Sequence, residues 1–231
     1  MDTARKFAIP LVIGEELARS LSDAIIFLDY EPGSRIVEED LCAAYGLSRS
    51  PVREALRLLE AQGLVVRSTR RGARVAPINQ ANLTEVYACR EVLEGLAAFE
   101  AARHADRAIL NEMQQSIEGM RSTKDTDVKT FFAQNVQFTR AIHRASQNVT
   151  LQNVLNGIEK QSLRYRYLAH LHTHEMLEIS CDGQVSMYDA ISAKRPAVAR
   201  RRAVRLIQNA HRVISSVVHN VFAAQVSRES A

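Results

Sequence analysis

The segment from Leu41 to Val75 constrains the fold of this chain more than any other part of the sequence. Its residues indicate, in order, a short helix, a tight turn at Gly46, a second helix and two short strands over 64–68 and 73–76. The loop that joins the strands carries consecutive arginines. This order of elements predicts a winged helix-turn-helix, in which the second helix enters a groove of double-stranded DNA.

The terminal residues of the two helices predict where they begin and end. The acidic run Glu38–Asp40 suits the positive N-terminus of the first helix. Gly46 tolerates the left-handed conformation that closes a helix. Ser50 followed by Pro51 is typical of an N-cap followed by a first helical residue, so the second helix is predicted to begin within a residue or two of that pair.

Three arginines, Arg49, Arg53 and Arg57, recur at intervals of four along the second helix. Residues four apart share one helical face, so these side chains project together. A guanidinium can bond both O6 and N7 of guanine in the major groove. Ser48 and Ser50 are short enough to bond phosphate oxygens where the helix begins. We expect these five residues to contact DNA.

The wing loop adds Arg70, Arg71 and Gly72 to this surface, because a basic tip suits a minor groove or a phosphate backbone. Charge is segregated: residues 1–45 hold four Lys or Arg against nine Asp or Glu, and residues 46–76 hold seven Arg against two Glu. Such a basic segment favours nucleic acid through counterion release. The alternative, in which the arginines only solvate an amphipathic helix, does not explain their joint position at the turn, helix and wing.

Two stretches, SRSPVREALRLLEAQGLV and RRGARVAP, resemble the N-terminal domain of the GntR family of bacterial transcription regulators. The resemblance implies that Arg49 and Arg53 read bases and that Ser48 and Ser50 hold the DNA backbone. Gly72 matches the wing glycine of the family. Some relatives use a basic residue on the helix before the turn, where this chain has Glu38–Asp40. That difference leaves the operator sequence open.

The remainder of the chain is predicted to be helical, because no proline occurs between Asn82 and Pro196 and apolar residues recur at spacings of three and four. We expect a mainly α protein with a winged helix-turn-helix domain over 1–77 and an all-α six-helix bundle over 78–231. The predicted helices cover 15–29 in the first domain and 83–104, 107–121, 128–146, 151–174, 183–194 and 197–224 in the second, with Asp106, Asp127, Thr150 and Asp182 as caps.

The helical half resembles the FCD effector domain of the FadR subfamily, in its VanR-like branch. The resemblance lies in YACREVLEGLAAFEAA at 87–102, FTRAIHRASQN at 138–148 and YDAISAK at 188–194. It implies dimerisation and a small-molecule effector, which for much of the family is a carboxylate.

Most FCD domains hold a divalent metal with one Asp and three His, and those positions fall here on Asn135, Thr139, Gln184 and Leu206. Neutral amides and hydroxyls are poor ligands for such metals, and leucine is none. We therefore expect no metal and no cofactor, and a cavity in which Asn135, Thr139 and Gln184 hydrogen-bond the effector directly. The alternative is a closed cavity in a domain that serves only for dimerisation.

Two further residues are candidates for the effector site. Arg90 could bind an anionic effector or pair with Glu94, four residues later, and we favour the pair. His143 lies one turn beyond Thr139, either in the pocket or as a core residue with its own partner.

Other features of the chain indicate no further chemistry. His170, His172 and His174 form an incomplete metal site and are predicted to lie at a solvated helix end. Cys42, Cys89 and Cys181 are odd in number and widely spaced, so we expect buried, reduced thiols. No catalytic signature and no apolar run long enough for a membrane span occurs, which predicts a cytoplasmic protein that is not an enzyme.

Taken together, these patterns predict a homodimeric, effector-responsive transcription regulator, expected to be a repressor, that binds a palindromic operator. Two alternatives remain at this stage. One is a constitutive DNA-binding dimer without an effector, and the other is a metal-dependent sensor.

Overall fold

The computed structural model describes the backbone of residues 4–68 and 72–229 and the side chains of residues 13–67 and 72–221. The chain divides into two compact units, Met1–Ile78 and Asn79–Ala231. This division falls one residue beyond the predicted end of the first domain. The mainly helical fold class predicted from the sequence is confirmed.

The first unit is a winged helix-turn-helix with a three-stranded sheet. Its elements are α1 (Ala4–Ile26), β1 (Arg35–Ile36), α2 (Glu38–Tyr45), α3 (Arg49–Ala61), β2 (Val65–Ser68) and β3 (Gly72–Val75). The central strand β3 pairs antiparallel with both β1 and β2. The sequence predicted only the two strands of the wing, because β1 has two residues and is too short to show an alternating pattern.

The helix α1 is longer than predicted, beginning at Ala4 rather than Glu15. The helix contains Pro10 and Gly14, although both residue types are unfavourable in a helix interior. Gly14 has a packing role: a Cβ on it would lie 3.1 Å from Cβ of Glu54 on α3. The glycine therefore lets α1 and α3 approach closely, and the apolar faces of α1 and α3 form the core of this unit.

The described part of the second unit contains six helices. They are α4 (Gln80–His104), α5 (Arg107–Thr123), α6 (Val128–Ala145), α7 (Val149–His172), α8 (His174–Ser192) and α9 (Pro196–Glu229). Alanines on one face of α4, at 97, 98, 101 and 102, are almost fully buried, and α4 packs against α6, α7 and α9. Small side chains allow the neighbouring helices to come close, so α4 forms the centre of the bundle.

Two of the four predicted caps are confirmed. Asp106 accepts a 2.9 Å bond from the amide of Ile109, and Asp127 accepts one of 3.0 Å from the amide of Thr130. The prediction of Thr150 was wrong, because Asn148 caps α7 two residues earlier. No helix of the described residues combines the length and the apolar character that a membrane crossing requires.

The predicted start of α8 was also wrong. The helix begins at His174, where the Thr173 side chain accepts a bond from the amide of Glu175, and it continues past Asp182 and Gly183. Gly183 suggested a break in the helix, whereas its role is close packing: a Cβ there would lie 2.5 Å from Cδ1 of Leu206 on α9. This contact is long-range and has no local signature.

Candidate nucleic-acid interface and candidate effector cavity

The turn between α2 and α3 depends on Gly46. Its φ of 63° lies in the left-handed region, and its amide bonds back to the carbonyl of Cys42. The helix α3 then begins at Arg49, one residue before the Ser50–Pro51 pair and within the predicted range, but Ser48 rather than Ser50 takes the N-cap position. Pro51 occupies the third helical position equally well, because none of the first four amides of a helix has an intrahelical partner to lose.

The exposed face of α3 carries the predicted arginines. Arg49, Arg53 and Arg57 have side chains that are 63%, 58% and 67% exposed, and Ser48 and Ser50 are exposed beside them. The opposite face, which includes Val52, Leu56 and Leu59, is fully buried. Burial of the apolar stripe therefore fixes the direction in which the three guanidiniums project.

Each of these arginines is paired with a carboxylate. Arg49 Nη2 lies 3.0 Å from Oε1 of Glu39, Arg53 Nε donates a 2.8 Å bond to Oε2 of Glu38, and Arg57 pairs with Glu54 at 2.7 Å. The hydrogen bond that Arg53 donates to Glu38 raises the pKa of Arg53 above its ordinary value. Exposed ion pairs of this kind contribute little free energy, so phosphates and bases can displace the carboxylates.

The wing is described in part. Arg70 and Arg71, which were predicted to contact DNA, lie outside the described residues, and their role stays a prediction. Gly72 opens β3 opposite Ser68 with a φ of 71°, a conformation that favours glycine. Arg74 on the same strand donates a 3.0 Å bond to the carbonyl of Gly33 and so braces the strand against the loop before β1.

A cavity of about 30 Å³ lies inside the helical unit, lined by residues of α4, α6, α7, α8 and α9. Four of the five predicted effector residues line it, namely Arg90, Asn135, Thr139 and Gln184, and so does Leu206. The four positions to which the family resemblance assigns metal ligands, Asn135, Thr139, Gln184 and Leu206, thus all line one cavity. His143 is not among the lining residues; it lies behind Glu94.

Arg90, Glu94 and His143 form a buried network beside the cavity. Arg90 Nη2 donates a 3.0 Å bond to Glu94 Oε1, which confirms the predicted pair, and His143 Nε2 donates a 2.8 Å bond to Glu94 Oε2. Burial by itself raises the pKa of Glu94, but the charges and hydrogen bonds of His143 and Arg90 outweigh it and lower the pKa to about 2. His143 is therefore a core residue with its own partner.

Asn135 is the hub of a second network. Thr139 Oγ1 and Gln184 Nε2 each donate a 3.1 Å bond to its backbone carbonyl, and the guanidinium of Arg166 donates to its side-chain oxygen. The side-chain oxygen of Gln184 is buried and has no hydrogen-bond partner among the described residues. The three amide and hydroxyl residues predicted for the effector site are thus already linked to each other.

The sequence analysis missed Arg166, which lines the cavity and is only 5% exposed. Burial, together with the nearby charge of Arg90, lowers its pKa to about 10. Its spacing of three from Leu163 and four from His170 places it on the inward stripe of α7. That spacing was the available signal, although arginine at such a position is ordinarily a sign of exposure.

The predicted solvated helix end is confirmed for His172, the exposed last residue of α7, and wrong for His170. The ring of His170 is buried, donating from Nδ1 to the Arg166 carbonyl at 2.7 Å and accepting at Nε2 from the Ser180 hydroxyl at 3.0 Å. His174 belongs to the next helix and pairs with Asp125. Across residues 13–67 and 72–221, no group of three or more His, Cys, Asp or Glu could hold a metal ion.

The three cysteines are free, but they are not all buried as predicted. Cys181 is buried, Cys42 is partly buried and Cys89 is exposed. Cys89 lies on α4 one residue before Arg90 and faces away from the cavity that Arg90 lines.

Comparison with known proteins covers both units. Residues 13–75 match the gntR family of bacterial regulatory proteins, and residues 85–209 match the FCD domain. The chain is similar to a probable D-xylose utilization operon transcriptional repressor of Paenarthrobacter nicotinovorans, with 31% identity over 72% of this chain and 73% of the relative.

Two Bacillus subtilis proteins are also similar. An uncharacterized HTH-type transcriptional regulator, YdhC, is 32% identical over 56% of this chain and 58% of its own length. A gluconate operon transcriptional repressor is 29% identical over 63% of this chain and 60% of its own length. The alignments therefore span less than two thirds of these two relatives. Among solved structures, Escherichia coli McbR/YncC has the same fold, with a TM-score of 0.74, 21% identity and coverage of 85% of this chain and 93% of that chain.

Proposed function

Since this chain belongs to the GntR family of bacterial transcription regulators and carries an FCD domain as its helical unit, we propose that it is a homodimeric repressor that binds a palindromic operator in the cytoplasm. The relatives described above are named as regulators and repressors rather than as enzymes. Two copies of one recognition helix require two half-sites related by a two-fold axis, which is the reason for proposing a palindrome.

The observation that carries the DNA-binding part of the proposal is the exposed face of α3. Arg49, Arg53 and Arg57 project from successive turns, with Ser48 and Ser50 at the helix start. Guanidinium groups on that face suit guanine edges, and the serines suit phosphates. The wing residues Arg70, Arg71 and Gly72 extend the proposed contact to the adjacent groove or backbone.

The helical unit is proposed to bind a small organic acid without a metal. Its cavity is lined by two guanidiniums, by neutral polar groups and by one carboxylate, Glu94, which is already bonded to Arg90 and His143. Such a lining suits an anion and does not suit a divalent cation. Arg90, Asn135, Thr139, His143 and Gln184 form or support this site. A relative named for the gluconate operon is consistent with an acid of this kind. Binding would act by favouring a packing of the helical unit in which the two DNA-binding units no longer fit their half-sites.

A second candidate function is a constitutive repressor whose helical unit only dimerises. The observation that favours it is the size of the cavity, about 30 Å³, which accommodates about two water molecules. A metal-dependent sensor is a weaker candidate, because Asn135, Thr139, Gln184 and Leu206 replace all four ligands.

The experiment that separates these candidates has two parts. Sedimentation velocity of the full chain establishes whether it is a dimer. Fluorescence anisotropy on an operator duplex, with and without small carboxylates such as lactate and gluconate, then measures whether they weaken binding. Release from the operator supports the effector-responsive repressor, whereas unchanged affinity across the series supports the constitutive one.

A further inference from the structure

We propose that Arg166 is the anchor for the effector's carboxylate and that the effector is a small hydroxy acid. This inference rests on the proposed function of the helical unit as an effector-binding domain. It identifies which buried cation takes the place of the metal and what chemical class of ligand the cavity selects.

The charges that line the cavity leave one guanidinium without a carboxylate partner. Arg90 is neutralised by Glu94, 3.0 Å away. No carboxylate of the described side chains forms an ion pair with Arg166. The charges of Glu94 and Glu159 also reach it, but Glu94 is bonded to Arg90 and His143, and Glu159 is bonded to Arg140 at 2.7 Å. Buried charges are ordinarily paired, because transfer of an ion out of water carries a large free-energy penalty. The cavity therefore has one excess positive charge.

The described partners of the Arg166 side chain are both neutral. They are the side-chain oxygen of Asn135 and the face of the Phe132 ring, 5.7 Å from the guanidinium carbon. A guanidinium has five N–H donors in a fixed fork that fits the two oxygens of a carboxylate. Asn135 stands where most FCD domains have the aspartate that holds the metal. Arg166 is thus the cation that faces the former metal position.

A second polar group that lines the cavity, the side-chain amide of Gln184, calls for a hydrogen-bond donor on the ligand. Gln184 commits its amide N–H to the carbonyl of Asn135, which leaves its side-chain oxygen buried and without a partner. A hydroxyl on the ligand would donate to that oxygen. The hydroxyl of Tyr87, which also lines the cavity, lies near the Arg90 guanidinium but makes no hydrogen bond of normal geometry. A carboxylate bearing a hydroxyl satisfies all these groups.

The size of the cavity indicates how such a ligand would change the protein. A space of about 30 Å³ accommodates little more than the carboxylate group. The rest of the ligand must displace lining side chains, and Met176 and Met187 are the unbranched, adaptable ones. Both belong to α8, whose Gly183 packs directly on Leu206 of α9. Ligand entry would therefore change the packing of α8 on α9, as an effector-driven transition requires.

The test is calorimetric titration and thermal unfolding of the full chain in buffer containing EDTA. The probes are two matched pairs: lactate against uncharged lactamide, and gluconate against uncharged glucose. The variants are R166Q, which removes the charge, R166K, which keeps it, and R103Q, in which an exposed arginine is changed in the same way. We expect at least one of the two acids to bind both the wild type and R103Q. The uncharged compound matched to that acid should give no detectable binding. R166Q should weaken binding at least about tenfold, and R166K should restore part of it.

A second variant keeps the proposal testable should R166Q fail to fold. N135D places a carboxylate on the residue that already accepts a bond from Arg166, so the protein supplies its own anion. We expect the unfolding midpoint of N135D to stay equal or rise while acid affinity falls at least about tenfold. If Arg166 had only a structural role, N135D would not lower acid affinity while the unfolding midpoint stayed equal or rose.

The outcomes separate this inference from the proposed function. Equal acid affinity in the wild type and a folded R166Q or N135D, or silence of both acids with the wild type, would overturn the role of Arg166. Operator binding by the same proteins would then leave the regulator assignment standing. In the opposite case, the wild type binds an acid in an Arg166-dependent way and binds no operator. That result would overturn the assignment as a DNA-binding regulator and leave the anion site standing.

Discussion

Arg53 on α3 donates a 2.8 Å hydrogen bond from Nε to Oε2 of Glu38, the first residue of α2. The bond ties the two helices of the helix-turn-helix together and leaves the terminal nitrogens of Arg53 for another partner. Arg49 is paired in a parallel way with Glu39, but the Glu39 side chain is 62% exposed and that of Glu38 is 22% exposed. If α3 binds DNA as proposed, Glu38 therefore positions Arg53, whereas Glu39 competes with DNA for Arg49.

Replacement of Arg53 by alanine should weaken operator binding and relax sequence preference. If the guanidinium bonds both O6 and N7 of a guanine, the loss should be about tenfold or more, and changing that base pair should have no further effect on the variant. Fluorescence anisotropy on matched and mutated duplexes measures both. Arg103→Ala, which removes an exposed arginine from the helical unit, should bind as the wild type does.

Glu39→Gln should strengthen operator binding. The change removes a carboxylate that pairs with Arg49 and that would otherwise face phosphate in a complex. We expect an increase of a few-fold that shrinks as salt rises, since both effects are electrostatic and screened. Glu31→Gln makes the same charge change at another exposed site of the first unit. An equal increase in both variants would show that only net charge matters.

Glu94→Gln should destabilise the helical unit. Glu94 accepts bonds from both Arg90 and His143, and its loss leaves Arg90 as a second unpaired buried cation. Removal of one partner from a buried ion pair lowers the free energy of unfolding by about 3 kcal/mol or more. Urea denaturation measures the change. Glu85→Gln, on the exposed face of the same helix, should leave stability nearly unchanged, and equal stability of Glu94→Gln would contradict this account.

Stability should fall on acidification, and His170 should account for part of the fall. Burial, together with the nearby charge of Arg166, lowers the pKa of His170 to about 3. The unfolded chain binds this proton at a higher pH than the folded chain does. The contribution of the neutral His170 ring to the free energy of unfolding is therefore complete above a pH of about 6.5 and is lost as the pH falls toward about 3.

The variant His170→Gln should have a flatter stability profile over that range than the wild type. His211 also has its pKa lowered by burial, but without the nearby guanidinium charge. His211→Gln therefore serves as the matched control, and its stability should depend on pH almost as steeply as that of the wild type. Thermal unfolding followed by circular dichroism across the range makes the comparison. An unchanged slope in His170→Gln would show that its folded and unfolded pKa values are similar.

The sequence predicts the DNA-binding unit well because local residues mark its elements. Gly46 closes α2, and the arginines at intervals of four identify the exposed face of α3. It does not predict β1, which forms only by pairing with β3. It also misplaces the start of α8, because Gly183 has the local signature of a break and a long-range reason to be there.

The candidate effector site shows the same division between local and long-range information. The spacing of Asn135 and Thr139 correctly places them on one face, and both line the cavity with Gln184. Arg166 was missed because arginine is ordinarily exposed, and its spacing from Leu163 and His170 does not by itself outweigh that expectation. Arg166 has no carboxylate partner because Glu94 pairs with Arg90, and that pairing depends on how the helices of the bundle pack.

The central claim, that α3 of this chain reads a palindromic operator, is tested most directly by selection of bound sequences from a random double-stranded DNA library. The full-length wild type and Arg53→Ala should be compared under the same conditions. We predict that the wild type enriches a two-fold symmetric site with a G·C pair in each half, and that the variant loses preference at that pair. Absence of any enriched sequence, or an identical sequence with the variant, would contradict the claim.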